Sequence, residues 1–183
     1  MIEYEPPVYR PPGEWRSFLV QATIGCSHNG CTFCGMYKGK KFRIRPMDDI
    51  IGDIREAAAF YNQYEKVFLC DGDAIVMKTE DLLEIIGEIK KDFPHCRLIS
   101  TYAGPRSTLS KTPEELKILH EAGLGRAYLG IETGMEALLK STNKGVSRAE
   151  MLEAGLRLRN AGIDLWGIIL IGLGGDFSRT GKR

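Results

Sequence analysis

The chain has 183 residues, of which 43% are hydrophobic and 27% are charged, and its formal net charge is +1. This composition is typical of one soluble globular domain, and it gives no reason to expect DNA or an anionic membrane as the main partner. The longest apolar stretch, 163–173, is too short to span a bilayer, no secretory signal is recognised at 1–15, and we therefore expect the chain in the reducing cytoplasm.

Residues 1–16 are predicted to form an extended lead-in, because their prolines disfavour helix. An apolar run at 18–24 then predicts the first strand. This strand ends in a glycine-bordered loop that holds three of the five cysteines, Cys26, Cys31 and Cys34. Cysteine thiolates that lie close together bind iron–sulfur clusters or zinc. Three thiolates are one short of saturating a four-iron cluster, so one iron could keep an open position for a ligand.

Zinc is the alternative occupant of this loop. Cys26, His28, Cys31 and Cys34 could together form a closed four-ligand site, since zinc accepts both sulfur and imidazole. A disulfide is disfavoured, because no fourth cysteine is nearby and nothing indicates a secreted protein. The loop alone leaves cluster and zinc open.

Beyond the loop, predicted helices and strands alternate along the chain. Amphipathic spacing or a capping box predicts helices at 48–61, from 79 to about 93, from 112 to 123 and from 147 to about 162. Apolar runs predict strands at 66–70, 97–101, 126–131 and 163–171. These strands start roughly 30 to 40 residues apart, close to the length of a βαβ unit. The pattern therefore predicts an α/β fold, with about five βα units forming a parallel sheet with outer helices.

Polar or glycine-rich motifs follow each predicted strand. They are the cysteine loop, Asp71-Gly72-Asp73, Ser100-Thr101, Glu132-Thr133-Gly134 and the segment from Gly172 to Asp176. Each has an ordinary structural explanation as a turn, a helix start or a phosphate-binding loop. The carboxyl ends of parallel strands meet at one edge, so together these motifs predict a functional site there. No Gly-x-Gly-x-x-Gly fingerprint follows the first strand, which disfavours a dinucleotide-binding fold.

The cysteine loop resembles the signature of radical S-adenosylmethionine (radical SAM) enzymes. That signature is Cys-x3-Cys-x2-Cys with an aromatic residue before the third cysteine, the position taken here by Phe33. The first spacing is one residue longer in this chain, and Asn29-Gly30 could absorb the extra residue in a turn. The resemblance covers residues 17–176 and implies a shortened radical SAM core, built as a partial TIM-like (β/α) barrel.

The resemblance also implies the chemistry. Cys26, Cys31 and Cys34 would hold three irons of a [4Fe-4S] cluster, and S-adenosylmethionine would chelate the fourth iron. Reductive cleavage of S-adenosylmethionine would then give a 5′-deoxyadenosyl radical that abstracts hydrogen from a substrate. The sequence does not identify this substrate.

Roles for the strand-end residues follow from the same resemblance. Asp71-Gly72-Asp73 is similar to the Gly-Gly-Glu motif that binds the methionine ammonium. Residues 130–134 are similar to a Gly-Ile-Glu-Ser-Gly stretch found in the branch with tRNA methylthiotransferases and anaerobic coproporphyrinogen oxidases, where the glutamate lies against the ribose or amino-acid part. Residues 170–176 are similar to a segment that contacts adenine. The expected cofactor-binding residues are Phe33, Gly72, Asp73, Ser100, Glu132, Gly172 and Leu173.

Two expectations concern partners. The basic run from Lys38 to Arg45 is predicted to be a solvated surface loop, with a docking patch for an acidic flavodoxin- or ferredoxin-like electron donor as the alternative. A polar tail at 177–183 follows the fifth strand, which would be left as an open sheet edge that a partner chain could cover. Besides the enzyme, a zinc-stabilised binding module and a truncated non-catalytic homologue that binds the cluster are alternative functions.

Overall fold

Residues 2–175, which the computed structural model of the chain describes, contain seven strands in two sheets. The strands are β1 Phe18–Gln21, β2 Thr23–Ile24, β3 Arg43–Ile44, β4 Lys66–Cys70, β5 Leu98–Ala103, β6 Leu124–Glu132 and β7 Asp164–Ile169. Five of them pair in parallel in the order β1-β4-β5-β6-β7, and β2 pairs antiparallel with β3. The polar tail at 177–183 and Asp176 lie outside the described residues. The predicted α/β fold with a parallel sheet in a partial barrel is confirmed.

Helices connect the parallel strands, as the alternating pattern predicts. They are α1 Met47–Phe60, α2 Thr79–Asp92, α3 Pro105–Leu109, α4 Pro113–Ala122, α5 Glu136–Ser141 and α6 Arg148–Asn160. Both predicted capping boxes are present: Thr112 caps α4 with Glu115, and Ser147 caps α6 with Glu150. Among the described residues, no helix combines the length and the apolar character needed to cross a lipid bilayer.

The two faces of the sheet differ in what they pack against. One face is covered by α1, α2, α4 and α6, whose isoleucines and leucines form the main hydrophobic core with alternate strand residues. The other face, which lines the inside of the partial barrel, carries a row of aromatic rings with centroids 5.0 to 6.3 Å apart. These rings are Phe68, Tyr102, Tyr128 and Trp166.

The lead-in at 2–16 packs against this inner face. Tyr4 donates a hydrogen bond to the Leu19 carbonyl at 2.8 Å, and the side chain of Val8 packs on the aromatic row. The carboxylate of Glu14 is fully buried and accepts hydrogen bonds from Tyr128 at 2.7 Å and from Ser17 at 2.5 Å. Burial and the Glu14 bond raise the pKa of Tyr128 to about 12. The lead-in is therefore an integral part of the barrel interior.

The first predicted strand is divided in two at Ala22. Residues 18–21 join the parallel sheet as β1, whereas 23–24 turn away and pair with β3 in the basic run. Two short helices, α3 and α5, lie in segments for which the sequence analysis predicted no secondary structure. Five or six residues are too short to show a helical repeat, which explains why neither was predicted.

The last strand of the sheet, β7, is paired on one side only. Within the described part of the chain, β6 is its single neighbour. Ile169 and Ile171, in and just after β7, are 65% and 88% exposed. The predicted open edge at the fifth parallel strand is therefore present in residues 2–175.

Candidate functional site

The cysteine loop runs between β2 and β3, and its three cysteines are free and half-buried. Burial raises the pKa of Cys31; Lys144 lowers it, while Cys26, Cys34 and Glu132 raise it further. Cys26 and Cys34 are therefore part of the electrostatic surroundings of Cys31. Within residues 2–175, no three His, Cys, Asp or Glu side chains are already arranged as a metal-binding group.

Asp71, at the end of β4, joins the two ends of the cysteine loop. Its fully buried carboxylate accepts hydrogen bonds from the Gly25 amide at 2.9 Å, from Lys40 at 2.8 Å and from Gln21 at 3.2 Å. Gly25 precedes the first cysteine and Lys40 follows the last. A buried charge needs such partners, so this contact fixes where the loop begins and ends.

The prediction of a solvated basic loop is wrong at Lys40. Its side chain is buried, and besides Asp71 it donates to the carbonyls of Glu5 at 2.5 Å and Pro7 at 2.8 Å. Lys38 and Lys41 are exposed, as predicted. Lys40 is buried because Asp71 and two lead-in carbonyls supply the acceptors that a buried ammonium requires.

Gly72 is packed against the cysteine loop. Its amide donates to the Gly25 carbonyl at 3.0 Å. A side chain here would meet the ring of Tyr37 at 2.8 Å and the Cβ of Cys26 at 3.0 Å. Only glycine allows the β4 end to approach this closely. The sequence analysis proposed Gly72 as a cofactor-binding residue, and the structure places Gly72 against Cys26.

Asp73 is buried and already has three hydrogen-bond donors. Its carboxylate accepts bonds from Ser27 in the cysteine loop, from Ser107 in α3 at 2.5 Å and from the Gly104 amide at 2.7 Å. Burial raises its pKa, which these bonds partly oppose. Asp73 thus ties the loop to α3, and its expected contact with the methionine ammonium stays a prediction.

Glu132 ends β6 in a left-handed backbone conformation, with φ of 62°, and its negative charge contributes to the raised pKa of Cys31. Lys144, in the loop after α5, donates to Glu132 at 2.8 Å, and both side chains are about one-tenth exposed. The ion pair and the thiol of Cys31 influence one another electrostatically. A carboxylate and an ammonium therefore lie side by side next to the cysteine loop.

The loop that carries Lys144 holds the cysteine loop through three hydrogen bonds. His28 donates to the Asn143 carbonyl at 2.7 Å, Asn143 donates to the Gly30 carbonyl at 3.0 Å, and the Thr32 amide donates to Thr142 at 2.9 Å. We call residues 142–145 the latch loop. His28 is thereby held to the latch loop through its Nε2.

The remaining predicted cofactor residues occupy different positions. Phe33 is half-buried in the cysteine loop. Gly172 and Leu173 form an exposed to half-buried turn after β7, with Gly172 at φ of 86°. Ser100 is fully buried on β5, and its hydroxyl donates to the Val67 carbonyl at 3.5 Å. The structure thus brings Gly72, Asp73 and Glu132 together at the cysteine loop, while Ser100 bonds within the sheet.

Sequence reasoning missed Lys144 and Tyr37. Lys144 lies in a short polar turn that resembles any surface loop, so one sequence carries no signal for it. Tyr37 offered a signal, because it is an aromatic residue only three positions after Cys34. Its ring is buried, and its hydroxyl is enclosed without a hydrogen-bond partner among the described residues.

The donor set at this site fits a sulfur-ligated cluster. Three free cysteines lie in one loop, Gly72 packs tightly against Cys26, and the ring of Tyr37, whose buried hydroxyl has no partner among the described residues, also packs against Gly72. Iron–sulfur clusters use thiolate ligands and accept hydrogen bonds at sulfur. The residues present therefore suit such a group.

Comparison with known proteins gives the family. The family described as "Radical SAM superfamily" matches residues 20–178. A 4'-phospho-dehydrooxetanocin synthase from Priestia megaterium is 29% identical over 169 residues, covering 81% of this chain and 22% of that protein. The chain spans 22% and 34% of the lengths of two curated relatives that it matches.

Solved structures share the fold. The cobalamin-dependent S-adenosylmethionine radical enzyme OxsB matches with a TM-score of 0.67 at 18% identity, over 82% of this chain and 23% of that one. Methylornithine synthase (PylB) matches with a TM-score of 0.64 at 20% identity, over 90% of this chain and 48% of that one. The chain therefore belongs to the radical SAM superfamily, whose members are enzymes that generally use a [4Fe-4S] cluster and S-adenosylmethionine.

Proposed function

We propose that this chain is the cofactor-binding core of a radical SAM enzyme. Cys26, Cys31 and Cys34 would hold a [4Fe-4S] cluster and leave one iron for S-adenosylmethionine. The observation that carries the proposal is a loop with three free, half-buried cysteines that is hydrogen-bonded to the latch loop, which carries one partner of the Glu132–Lys144 ion pair. When bound, the cluster supplies the electron that cleaves S-adenosylmethionine to methionine and a 5′-deoxyadenosyl radical, which abstracts hydrogen from an organic substrate.

The ion pair suits the amino-acid end of S-adenosylmethionine. That end carries an ammonium and a carboxylate, and Glu132 and Lys144 offer the complementary charges in a largely buried setting. Each protein charge would exchange its present partner for the opposite charge of the cofactor. Gly72 contributes a backbone that can be approached closely, and the turn at Gly172 and Leu173 would face adenine.

The inner face of the sheet would hold the substrate and exclude water. Phe68 and Tyr128 are buried there, and the lead-in covers one side. A reactive radical needs a site from which water and other hydrogen donors are kept away. A row of aromatic rings below the cysteine loop provides such surroundings.

The direct test is anaerobic reconstitution with iron and sulfide, followed by metal analysis and a visible spectrum. We expect about four irons for each chain, following the cluster type, and 5′-deoxyadenosine on addition of dithionite and S-adenosylmethionine. Cys31→Ala should lose the iron. Cys96→Ala, which changes a half-buried cysteine outside the loop, should keep it.

Other outcomes of this test select other functions. A colourless protein with one tightly bound zinc would identify the zinc-stabilised module. A cluster and bound S-adenosylmethionine without 5′-deoxyadenosine would identify a non-catalytic homologue.

We further propose a flavodoxin- or ferredoxin-like acidic electron donor. Lys38, Lys41 and Arg43 are exposed cations of the basic run, and Lys38 donates to the Asn29 carbonyl of the cysteine loop at 2.7 Å. Lys40 cannot contact an electron donor because its side chain is buried. Unchanged reduction of Lys41→Glu by flavodoxin would contradict this docking position.

Five free cysteines and an oxygen-labile cluster favour a reducing compartment such as the cytoplasm.

A further inference from the structure

Tyr37 carries a buried hydroxyl without a partner among the described residues. Its side chain is almost fully buried, and no protein atom in residues 2–175 accepts from or donates to its hydroxyl. Buried polar groups are almost always satisfied, because an unsatisfied one loses its bonds to water without compensation. The unsatisfied hydroxyl of Tyr37 therefore indicates a hydrogen-bond acceptor that residues 2–175 do not supply.

The position of Tyr37 identifies where that acceptor lies. The ring and the Cβ of Cys26 both pack against Gly72, where a Cβ would lie 2.8 Å from the ring and 3.0 Å from the cysteine Cβ. Tyr9 packs edge-on against the ring with centroids 5.5 Å apart, and the Lys40 ammonium lies 5.5 Å from its centre. The ring is thus held between the lead-in, the Asp71–Lys40 pair and the first cysteine. Among these three neighbours of the ring, only Cys26 belongs to the site proposed for the cluster.

The charges around the phenol agree with a donor role. Burial raises the pKa of Tyr37 above its ordinary range, and Asp71, Tyr102, Cys70 and Cys26 raise it further. The hydroxyl therefore keeps its proton at neutral pH. A protonated phenol beside sulfur is a hydrogen-bond donor.

We propose that Tyr37 is a positioning residue whose hydroxyl donates a hydrogen bond to sulfur of the cluster assembly held by Cys26. This inference rests on the proposed function. Hydrogen bonds to the sulfurs help to set the reduction potential of an iron–sulfur cluster, because they favour the more negatively charged, reduced form. Tyr37 therefore both retains the cluster and raises its potential.

Tyr37→Phe tests this inference, because it removes the hydroxyl and keeps the ring. In the iron-free protein, the melting temperature should rise, since a buried hydroxyl without a partner is gone. In the reconstituted protein, iron should pass to a chelator roughly tenfold faster, as for the loss of a hydrogen bond to a charged acceptor. The potential from an EPR-monitored titration should become more negative.

Thr23→Val is the matched control. Thr23 carries the other buried hydroxyl without a partner among the described residues, on β2 rather than beside Gly72. Its removal should also raise the melting temperature of the iron-free protein. The rate of iron release and the potential should equal those of the wild type. Fluorinated tyrosine at 37, a stronger donor, should slow iron release and raise the potential.

The outcomes separate the two proposals. If the wild type takes up no cluster, the proposed function fails and this inference fails with it. If the wild type takes up a cluster but Tyr37→Phe matches it in iron release and potential, the inference alone is overturned. A lower melting temperature for iron-free Tyr37→Phe would also overturn it, since the hydroxyl would then already have a partner.

Discussion

Single residues hold the cysteine loop in place, and the strongest of these contacts is between Asp71 and Lys40. The pair is buried and lies between the lead-in carbonyls and the Gly25 amide. A buried ion pair contributes little net stability compared with apolar groups, but the loss of one partner leaves the other charge uncompensated. The two residues therefore make the conformation of the loop dependent on β4 and on the lead-in.

Lys40→Met is expected to lower the free energy of unfolding by about 3–5 kcal/mol, because it leaves the Asp71 carboxylate buried without its cation. Chemical denaturation of the iron-free protein measures this difference. Lys117→Met is the control, since Lys117 lies 3.8 Å from Glu121 in an exposed pair. It should change stability by less than about 0.5 kcal/mol. Equal effects of the two substitutions would contradict the role given to Asp71–Lys40.

Secondary structure elements were predictable where an apolar pattern or a capping motif extends over enough residues. Lys66–Cys70 is a strand as predicted, and the capping boxes at Thr112 and Ser147 start α4 and α6. The pairing of β2 with β3 joins residues about twenty positions apart. Such a pairing depends on tertiary contacts that a local pattern does not contain.

The candidate site was predictable only in part for the same reason. The cysteines form a sequence motif, and Gly72 and Glu132 follow strands that the pattern identifies. Lys144 reaches Glu132 only because α5 and the latch loop fold back over the strand end. The burial of Lys40 likewise required Asp71, which is 31 positions away. Local sequence patterns do not contain information about contacts between segments that are distant in the chain.

The latch loop gives a prediction at the level of elements. Asn143→Gly should loosen the cysteine loop, because it removes the side-chain bond to Gly30 while glycine tolerates the backbone φ of 52°. Hydrogen exchange at the Thr32 amide, which bonds to Thr142, should accelerate roughly fivefold, as for one lost hydrogen bond. Asn62→Gly, after α1, should leave that amide unchanged. Unaltered exchange in Asn143→Gly would show that the latch loop does not restrain the cysteines.

For the whole molecule, β7 presents a sheet edge that is unpaired within residues 2–175, and this edge is a candidate surface for association. Unpaired strand edges with apolar side chains pair readily with other chains. Trp166 and Ile169 on β7 and Ile171 just beyond it are exposed. We propose that a partner chain covers this edge.

Ile171→Lys is expected to reduce self-association in sedimentation velocity, because a charge at the edge opposes strand pairing. Phe60→Lys is the matched control, since Phe60 is 94% exposed at the end of α1, away from the edge. It should leave the sedimentation profile unchanged. A wild type that stays monomeric at high concentration would argue against this edge as an interaction surface.

The covering of the barrel interior by the lead-in has a consequence for synthesis on the ribosome. Glu14 is made before its partner Tyr128, which follows 114 positions later. Chains emerge from the N-terminus first, at about 5–20 residues per second. The cysteines therefore leave the ribosome many seconds before the segments that enclose them exist. During that interval the cysteine loop is accessible to solvent and to other molecules.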